Sequence, residues 1–146
     1  MARDPNLEEI QRPPPADDLG VEDFLESFAR AITAGDGQAI ATMWETPAFV
    51  LGAEMARVVE NAPDIAALFG GAREQYNAIG IVDTKPEIVR LDEINDRLVI
   101  VRVHWPWLDE QGREVGAETS TYTLARNGDG EWRLRIAVMH GAEAVN

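Results

Sequence analysis

The stretch Glu118–His140, ETSTYTLARNGDGEWRLRIAVMH, decides the fold of this chain. Two runs rich in β-branched and aromatic residues flank Asn127-Gly128-Asp129-Gly130, a sequence that favours a turn between strands. The stretch therefore predicts a long antiparallel hairpin, and the rest of the chain is expected to cover it.

The residues before this hairpin predict more strands. KPEIVRLD at 85–92 and LVIVRVHWPW at 98–107 are rich in β-formers and are separated by the turn residues Asn95-Asp96. Two shorter runs, at 48–51 and 55–59, are further strand candidates. The second half of the chain is thus predicted to be a meander of antiparallel strands.

The first half predicts helices. Apolar residues recur at three- and four-residue spacing over residues 21–34, again over 38–44 after Gly35-Asp36-Gly37, and again over 65–79. The third helix contains Gly70-Gly71, a pair that is costly inside a helix and predicts a bend or a close approach of another backbone. Helices followed by strands indicate an α+β protein, with three helices packed on the concave face of a curved antiparallel sheet.

Length and composition indicate a single domain. The 146 residues suffice for one core, and residues 21–146 are predicted to form it. Residues 1–20 contain Pro13-Pro14-Pro15 and lack periodicity, which predicts an extended or disordered arm. The chain has no signal-like segment and no apolar run near the ~20 residues that span a bilayer, so a cytoplasmic location is expected.

Charge and cysteine content exclude several functions. The formal net charge of −13 repels nucleic acid and anionic membrane surfaces, so neither is an expected partner. The absence of cysteine excludes disulfides, thiolate catalysis and cysteine-ligated metal centres. The two histidines lack metal-ligand spacing, and neither a metal nor another cofactor is predicted.

Two segments carry a resemblance to a known superfamily. FARAITAGDGQAI at 28–40 and GEWRLRI at 130–136 resemble the nuclear transport factor 2-like superfamily, which includes SnoaL-like cyclases and ketosteroid isomerases. WETPAFVLG and VHWPWLD are similar to stretches of bacterial members. The resemblance implies a cone-shaped sheet, a mostly apolar small-molecule pocket on its concave side, and a homodimer formed through its outer side.

The catalytic residues of ketosteroid isomerases do not carry over. At the position of their helical tyrosine this chain has Phe28, and Leu51 or Gly52 falls where the catalytic base is expected. The oxyanion aspartate falls near Thr121 or Tyr122. Steroid-isomerase chemistry is therefore not expected.

Four residues are candidates for catalysis. His104 and His140 lie near strand ends, and imidazole titrates near neutral pH, although a rim residue bonded to a carbonyl has the same sequence signature. Glu118 would move protons if it pointed into an apolar cone, because burial raises the pKa of a carboxyl. Tyr122 offers a hydroxyl that can orient a ligand carbonyl.

The predicted pocket is aromatic. Its expected lining, with hydroxyls that could orient a ligand, is Trp44, Phe49, Phe69, Tyr76, Trp105, Ser120 and Met139. Alternation in the last strand places Trp132 and Leu134 on one face and Ala137 and Met139 on the other, whereas the resemblance puts Ala137 and Met139 in the pocket. One β-bulge between these pairs would satisfy both expectations.

Two functions remain open from the sequence. One is an enzyme that performs acid–base chemistry on an apolar carbonyl-containing or hydroxylated small molecule. The other is a non-catalytic module that binds a small molecule or another chain. The first predicts an ionisable group deep in the pocket, and the second predicts a pocket without one or a filled cone.

Overall fold

The computed structural model describes residues 19–143. The predicted arm lies outside the described residues except for its last two positions. The described helices are α1 (Val21–Ala34), α2 (Gly37–Thr42), α3 (Ala62–Phe69) and α4 (Ala72–Ala78). The strands are β1 (Trp44–Leu51), β2 (Ala56–Val59), β3 (Glu87–Asn95), β4 (Leu98–Leu108), β5 (Glu114–Arg126) and β6 (Trp132–Glu143).

Helices α1 and α2 follow the predicted helix–break–helix pattern. Helix α1 buries Leu25, Phe28 and Ala29 on one face and ends at Gly35, whose φ of 69° is readily adopted by glycine. Asp36 then caps α2, because its side chain accepts a hydrogen bond from the backbone N–H of Ala39. The second helix ends two residues before Trp44, which begins β1 instead of ending a helix.

The third predicted helix is divided in two. Helix α3 begins after Asn61, whose side chain caps it by accepting a hydrogen bond from the backbone N–H of Asp64, and it ends before Gly70. A Cβ at Gly70 would lie 2.7 Å from the carbonyl oxygen of Ala66, so glycine permits this close approach. Helix α4 then begins at Ala72, and its residues Arg73, Tyr76 and Asn77 line the cavity described below.

The six strands form one curved, unclosed sheet in the order β2-β1-β6-β5-β4-β3. Neighbouring strands are antiparallel except for β1 and β6, which run parallel. The predicted α+β class is confirmed, but the sheet is mixed rather than purely antiparallel. The parallel pair is possible because β2, α3, α4 and β3–β5 lie between β1 and β6 along the chain and provide the long connection that parallel strands need.

The β5–β6 hairpin is present and tied to the helical layer. Its turn is held by the Asn127 side chain, which accepts from the backbone N–H groups of Asp129 and Glu131. The indole N–H of Trp132 donates to the Leu19 carbonyl over 2.7 Å. The hairpin therefore fixes the start of α1 against the sheet.

A β-bulge in β6 settles which residues of this strand face the helices. Thr123 and Leu124 of β5 pair with Ile136 and Leu134, so Arg135 is an extra residue without a counterpart. Side-chain parity changes there, and both the Trp132/Leu134 pair and the Ala137/Met139 pair face inward. The bulge thus allows both expected arrangements: Trp132 and Leu134 face the helices, and Ala137 and Met139 face the same side.

The core lies between α1–α3 and the inner sheet face. Its largest fully buried side chains are Phe28, Leu25, Ile40, Ile65, Leu124 and Leu134. At one end of the cone this packing gives way to a cavity bounded by α1, α4 and the last turn of α3.

Candidate functional site

A cavity of about 110 Å³ lies on the concave side of the sheet. Much of its wall is apolar and comes from α1, α3, β4, β6 and the loop after α4: Phe28, Ile32, Phe69, Ile81, Trp105 and Met139. Exposed side chains, among them Arg73 and Asn77, lie where the cavity meets solvent. A concave apolar site with a few polar groups is typical of small-molecule binding.

A carboxyl–phenol pair forms part of the polar wall. The Tyr76 hydroxyl of α4 donates a hydrogen bond of 2.8 Å to Oε1 of Glu118 on β5. Burial raises the pKa of Glu118 above its ordinary value of 4.5, and the hydrogen bond from Tyr76 opposes this rise. Glu118 is therefore a carboxyl whose proton affinity is set by an apolar surrounding.

Trp107 supports this pair from the neighbouring strand. Its ring packs 6.0 Å from that of Tyr76, and its indole N–H also lowers the pKa of Glu118. The contact is loose, because the indole nitrogen has no well-formed hydrogen bond among the described residues. Gly116 makes room for the Trp107 ring, since a Cβ at this position would overlap it.

Tyr122 presents a second phenol to the cavity. The Trp105 indole N–H donates to the Tyr122 oxygen over 3.0 Å, and the two rings meet edge to face. Burial raises the Tyr122 pKa; hydrogen bonds with Ser120 and Trp105 oppose the rise, and the Glu118 charge adds to it. Because it accepts from the Trp105 indole, the Tyr122 hydroxyl can donate its own proton, either to Ser120 or to a ligand.

Both phenols stay neutral. Burial and the adjacent Glu118 raise the pKa of Tyr76, as burial raises that of Tyr122. Each therefore acts as a hydrogen-bond donor and not as a phenolate, which leaves the Glu118 carboxyl as the most acidic group of this cluster.

The structure brings together most of the residues that the sequence proposed. Glu118, Ser120 and Tyr122 share the inner face of β5, because they alternate with threonines that point outward. The cavity wall also contains four other members of the predicted set: Phe69, Tyr76, Trp105 and Met139. Their roles in catalysis or binding stay predictions.

The histidines are placed elsewhere. His104 alternates with the buried Val103 and Trp105, so it lies on the outer face, 3.8 Å from Glu87 and 3.6 Å from Glu114. His140 Nε2 lies 2.7 Å from the Thr121 hydroxyl, also on the outer face. Neither belongs to the cavity wall, because strand parity turns both away from it.

Two predicted lining residues are also outside the wall. Trp44 is buried in the core, stacked on Phe69 at 5.4 Å, because β1 begins at this residue. Phe49 is 44% exposed on the outer face. Sequence reasoning missed Arg73, Asp83 and Thr84, which come from a short helix and a loop without periodicity.

The described residues contain no metal-binding cluster. No group of three or more His, Asp or Glu in residues 19–143 is arranged to hold an ion. Within the same range, none of the helices has the length and apolar character needed to cross a membrane.

The buried Glu118 carboxyl predicts a pH-dependent stability. A raised folded-state pKa means that the folded protein holds the proton more tightly than the unfolded chain. This contribution to stability is therefore lost as pH rises from the ordinary value of 4.5 through the folded-state pKa. Glu118→Gln should melt at a higher temperature than the wild type above this window and equally below it. A difference that is constant with pH would contradict the assignment.

The fold is a cone of sheet and helices, and solved structures of other proteins have a similar fold. An NTF-2 like protein of unknown function from Shewanella oneidensis is 13% identical, with a TM-score of 0.65 over 87% of this chain and 100% of that chain. Aln2 from Streptomyces is 17% identical, with a TM-score of 0.65 over 88% and 92%.

The third is a ketosteroid isomerase-like protein from Erwinia carotovora atroseptica. It is 12% identical, with a TM-score of 0.61 over 94% of this chain and 97% of that chain. At these identities the likeness concerns the fold alone.

The chain belongs to the family described as NTF2-like protein (DUF6841), whose model matches residues 17–142. The superfamily resemblance drawn from the sequence is thereby confirmed. No curated protein matches the chain in sequence.

Proposed function

We propose that the chain is an enzyme that moves a proton on a small, largely apolar carbonyl compound, with Glu118 as the base. The observation that carries the proposal is a partly buried carboxyl with a raised pKa, bonded to Tyr76 and sharing an apolar cavity with the donor hydroxyl of Tyr122. A base and an oxyanion donor in one apolar site are the two parts that proton abstraction next to a carbonyl requires.

The proposed reaction has two steps. The Glu118 carboxylate takes a proton from the carbon next to the carbonyl, and the electron pair of the broken C–H bond forms an enolate. The enolate oxygen accepts a hydrogen bond from the Tyr122 hydroxyl, which Trp105 keeps oriented. Glu118 then returns the proton to carbon, either to the same atom or to a conjugated one.

Tyr76 has a different role in this proposal. Its hydrogen bond to Oε1 holds the carboxylate, so that Oε2 is the oxygen assigned to take the proton. The bond also opposes the rise that burial causes in the pKa of Glu118. Tyr76 is thus a positioning residue.

The site differs from the steroid-isomerase arrangement that the resemblance implies. Leu51 and Gly52, at the expected position of the base, carry no ionisable group, and Phe28 replaces the helical tyrosine. In the proposed site the carboxyl and the oxyanion donor both come from β5. One protein of similar fold is named ketosteroid isomerase-like. A steroid, however, is far larger than the cavity of about 110 Å³ in this chain.

Exchange of hydrogen for deuterium tests the proposal. Cyclohexanone is a suitable probe, because its ring is about the size of benzene, which a ~150 Å³ engineered cavity binds. Incubated in D2O, the protein should accelerate the loss of the α-hydrogen signals of cyclohexanone in proton NMR. Thermal stabilisation by the ketone without any acceleration would favour the alternative, a non-catalytic ligand-binding module.

We also propose that the partner of the outer sheet face is a second copy of the chain. Paired residues of β2, β1 and β6 form an apolar outer patch there: Val58, Phe49, Ile136, Leu51 and Val138. Val58, Phe49 and Val138 are 57%, 44% and 37% exposed. On a chain with a net charge of −13, an uncharged patch lets two copies meet with the least repulsion.

The apolar sequence of residues 98–107 predicts β4 as the contact strand, but Arg102 and His104 occupy the middle of its outer face. Sedimentation should show a dimer at micromolar concentration, and Val138→Glu should convert it to a monomer. The matched control is Ile79→Glu, at an exposed position outside the patch, which should stay dimeric. A wild-type monomer would refute the proposal.

A cytoplasmic location stays a prediction from the sequence.

A further inference from the structure

Thr84 contributes a buried hydroxyl that the proposed reaction does not use. It lies in the loop between α4 and β3 and forms part of the cavity wall. Its Oγ1 is inaccessible to solvent and has no hydrogen-bond partner in residues 19–143. Since buried hydroxyls in folded proteins are nearly always paired, an unpaired one in a cavity wall points to a ligand as the partner.

The backbone of Thr84 is held in place on both sides. Arg30 of α1 donates to the Thr84 carbonyl oxygen over 2.7 Å and to Oδ1 of Asp83 over 2.9 Å. The same Asp83 oxygen accepts the Thr84 backbone N–H over 2.8 Å. Asp83 and Leu108 exchange backbone hydrogen bonds that anchor the loop to β4. The Thr84 backbone is therefore fixed, and a ligand reaches the covered hydroxyl when the side chain turns about its Cα–Cβ bond toward the cavity.

We propose that Thr84 determines specificity by hydrogen-bonding a second polar atom of the ligand. The proposal rests on the proposed function and narrows its substrate class. Glu118 and Tyr122 act on the carbonyl from the sheet wall, while Thr84 reaches another oxygen from the loop wall. The preferred substrate is then a small bifunctional compound that carries a carbonyl and a second carbonyl or hydroxyl group.

Two ring ketones of similar size test this selectivity. Cyclohexanone has one carbonyl, and cyclohexane-1,4-dione adds a second oxygen across the ring. The wild type should bind the dione more tightly, by about five- to tenfold, the net value of one neutral hydrogen bond. NMR titration gives both dissociation constants.

Three substitutions complete the test. Thr84→Val keeps the shape and removes the hydroxyl, so it should abolish the preference for the dione and leave the melting temperature equal or higher. Thr84→Ser restores a hydroxyl and should restore the preference. Thr33→Val is the matched control, because Thr33 also lines the cavity but its hydroxyl already donates to the Arg30 carbonyl. It should keep the preference.

The outcomes separate this inference from the proposed function. Glu118→Gln should lose exchange and keep the dione preference. A Thr84-dependent preference without exchange in the wild type would refute the reaction and support the ligand contact. Equal affinity of the wild type for the two ketones, binding of neither at millimolar concentration, or a preference that survives Thr84→Val would overturn the inference.

Discussion

Replacing Glu118 by glutamine should slow the α-hydrogen exchange of cyclohexanone by about 10²–10⁴-fold, the usual contribution of a positioned base. The amide has nearly the same shape, and its oxygen can still accept the Tyr76 hydrogen bond. It cannot take a proton from carbon. Binding of cyclohexanone should therefore stay close to that of the wild type while the exchange rate falls, as a comparison of NMR exchange rates and titrations would reveal.

The matched control for this variant is Glu114→Gln. Glu114 lies at the start of the same strand, exposed and outside the cavity wall. Its replacement should leave exchange unchanged. If both variants exchanged at the wild-type rate, Glu118 would not be the base. The wild-type rate should also rise with pH through the raised pKa of Glu118, and this rise should be absent from Glu118→Gln.

Phe28→Ala should have the largest effect on stability, a loss of about 3–5 kcal/mol in the free energy of unfolding. Phe28 is 1% exposed and meets three aromatic rings edge to face: Phe69 at 6.5 Å, Trp105 at 6.1 Å and Tyr122 at 6.1 Å. Truncation removes all three contacts and leaves a void that joins the cavity. Urea denaturation followed by tryptophan fluorescence measures the loss.

Phe24→Ala is the control on the same helix, because Phe24 is only partly buried and should cost less. Benzene should recover part of the stability of Phe28→Ala by filling the void, and should have little effect on the control. A loss for Phe28→Ala no larger than that for Phe24→Ala would mean that the ring does not support the cavity.

The sequence predicted the inner face of β5 because strand parity is a local property. Residues Glu118, Ser120 and Tyr122 are two apart, so one strand assignment places all of them on one side. The sequence did not predict which face of the sheet His104 and His140 occupy. The outward position of each depends on the register of a neighbouring strand and on bulges. Phe49 faces outward for the same reason.

The loop side of the cavity could not be predicted from periodicity. Thr84 is positioned by Arg30, 54 residues earlier in the chain, through a contact that leaves no local pattern. The apolar stripe predicted over 65–79 gives helix α4 no buried residue, so the sequence predicted Tyr76 as part of this wall but missed Arg73 and Asn77. Helix α1, with a continuous buried stripe, was predicted correctly.

The bulge at Arg135 divides β6 into two segments that can vary independently. Before it, Trp132 and Leu134 are fixed by the demands of the core; after it, Ala137 is buried and Met139 lines the cavity. A one-residue deletion at the bulge would reverse the side-chain parity of the second segment. Its cavity-lining residues would then face outward, and its outer-patch residues would face the cavity. In an evolving lineage, substitutions at Met139 can therefore change the shape of the cavity, and with it the preferred ligand, without disturbing the core. A change in the length of β6 at the bulge would instead alter ligand preference and dimer formation together.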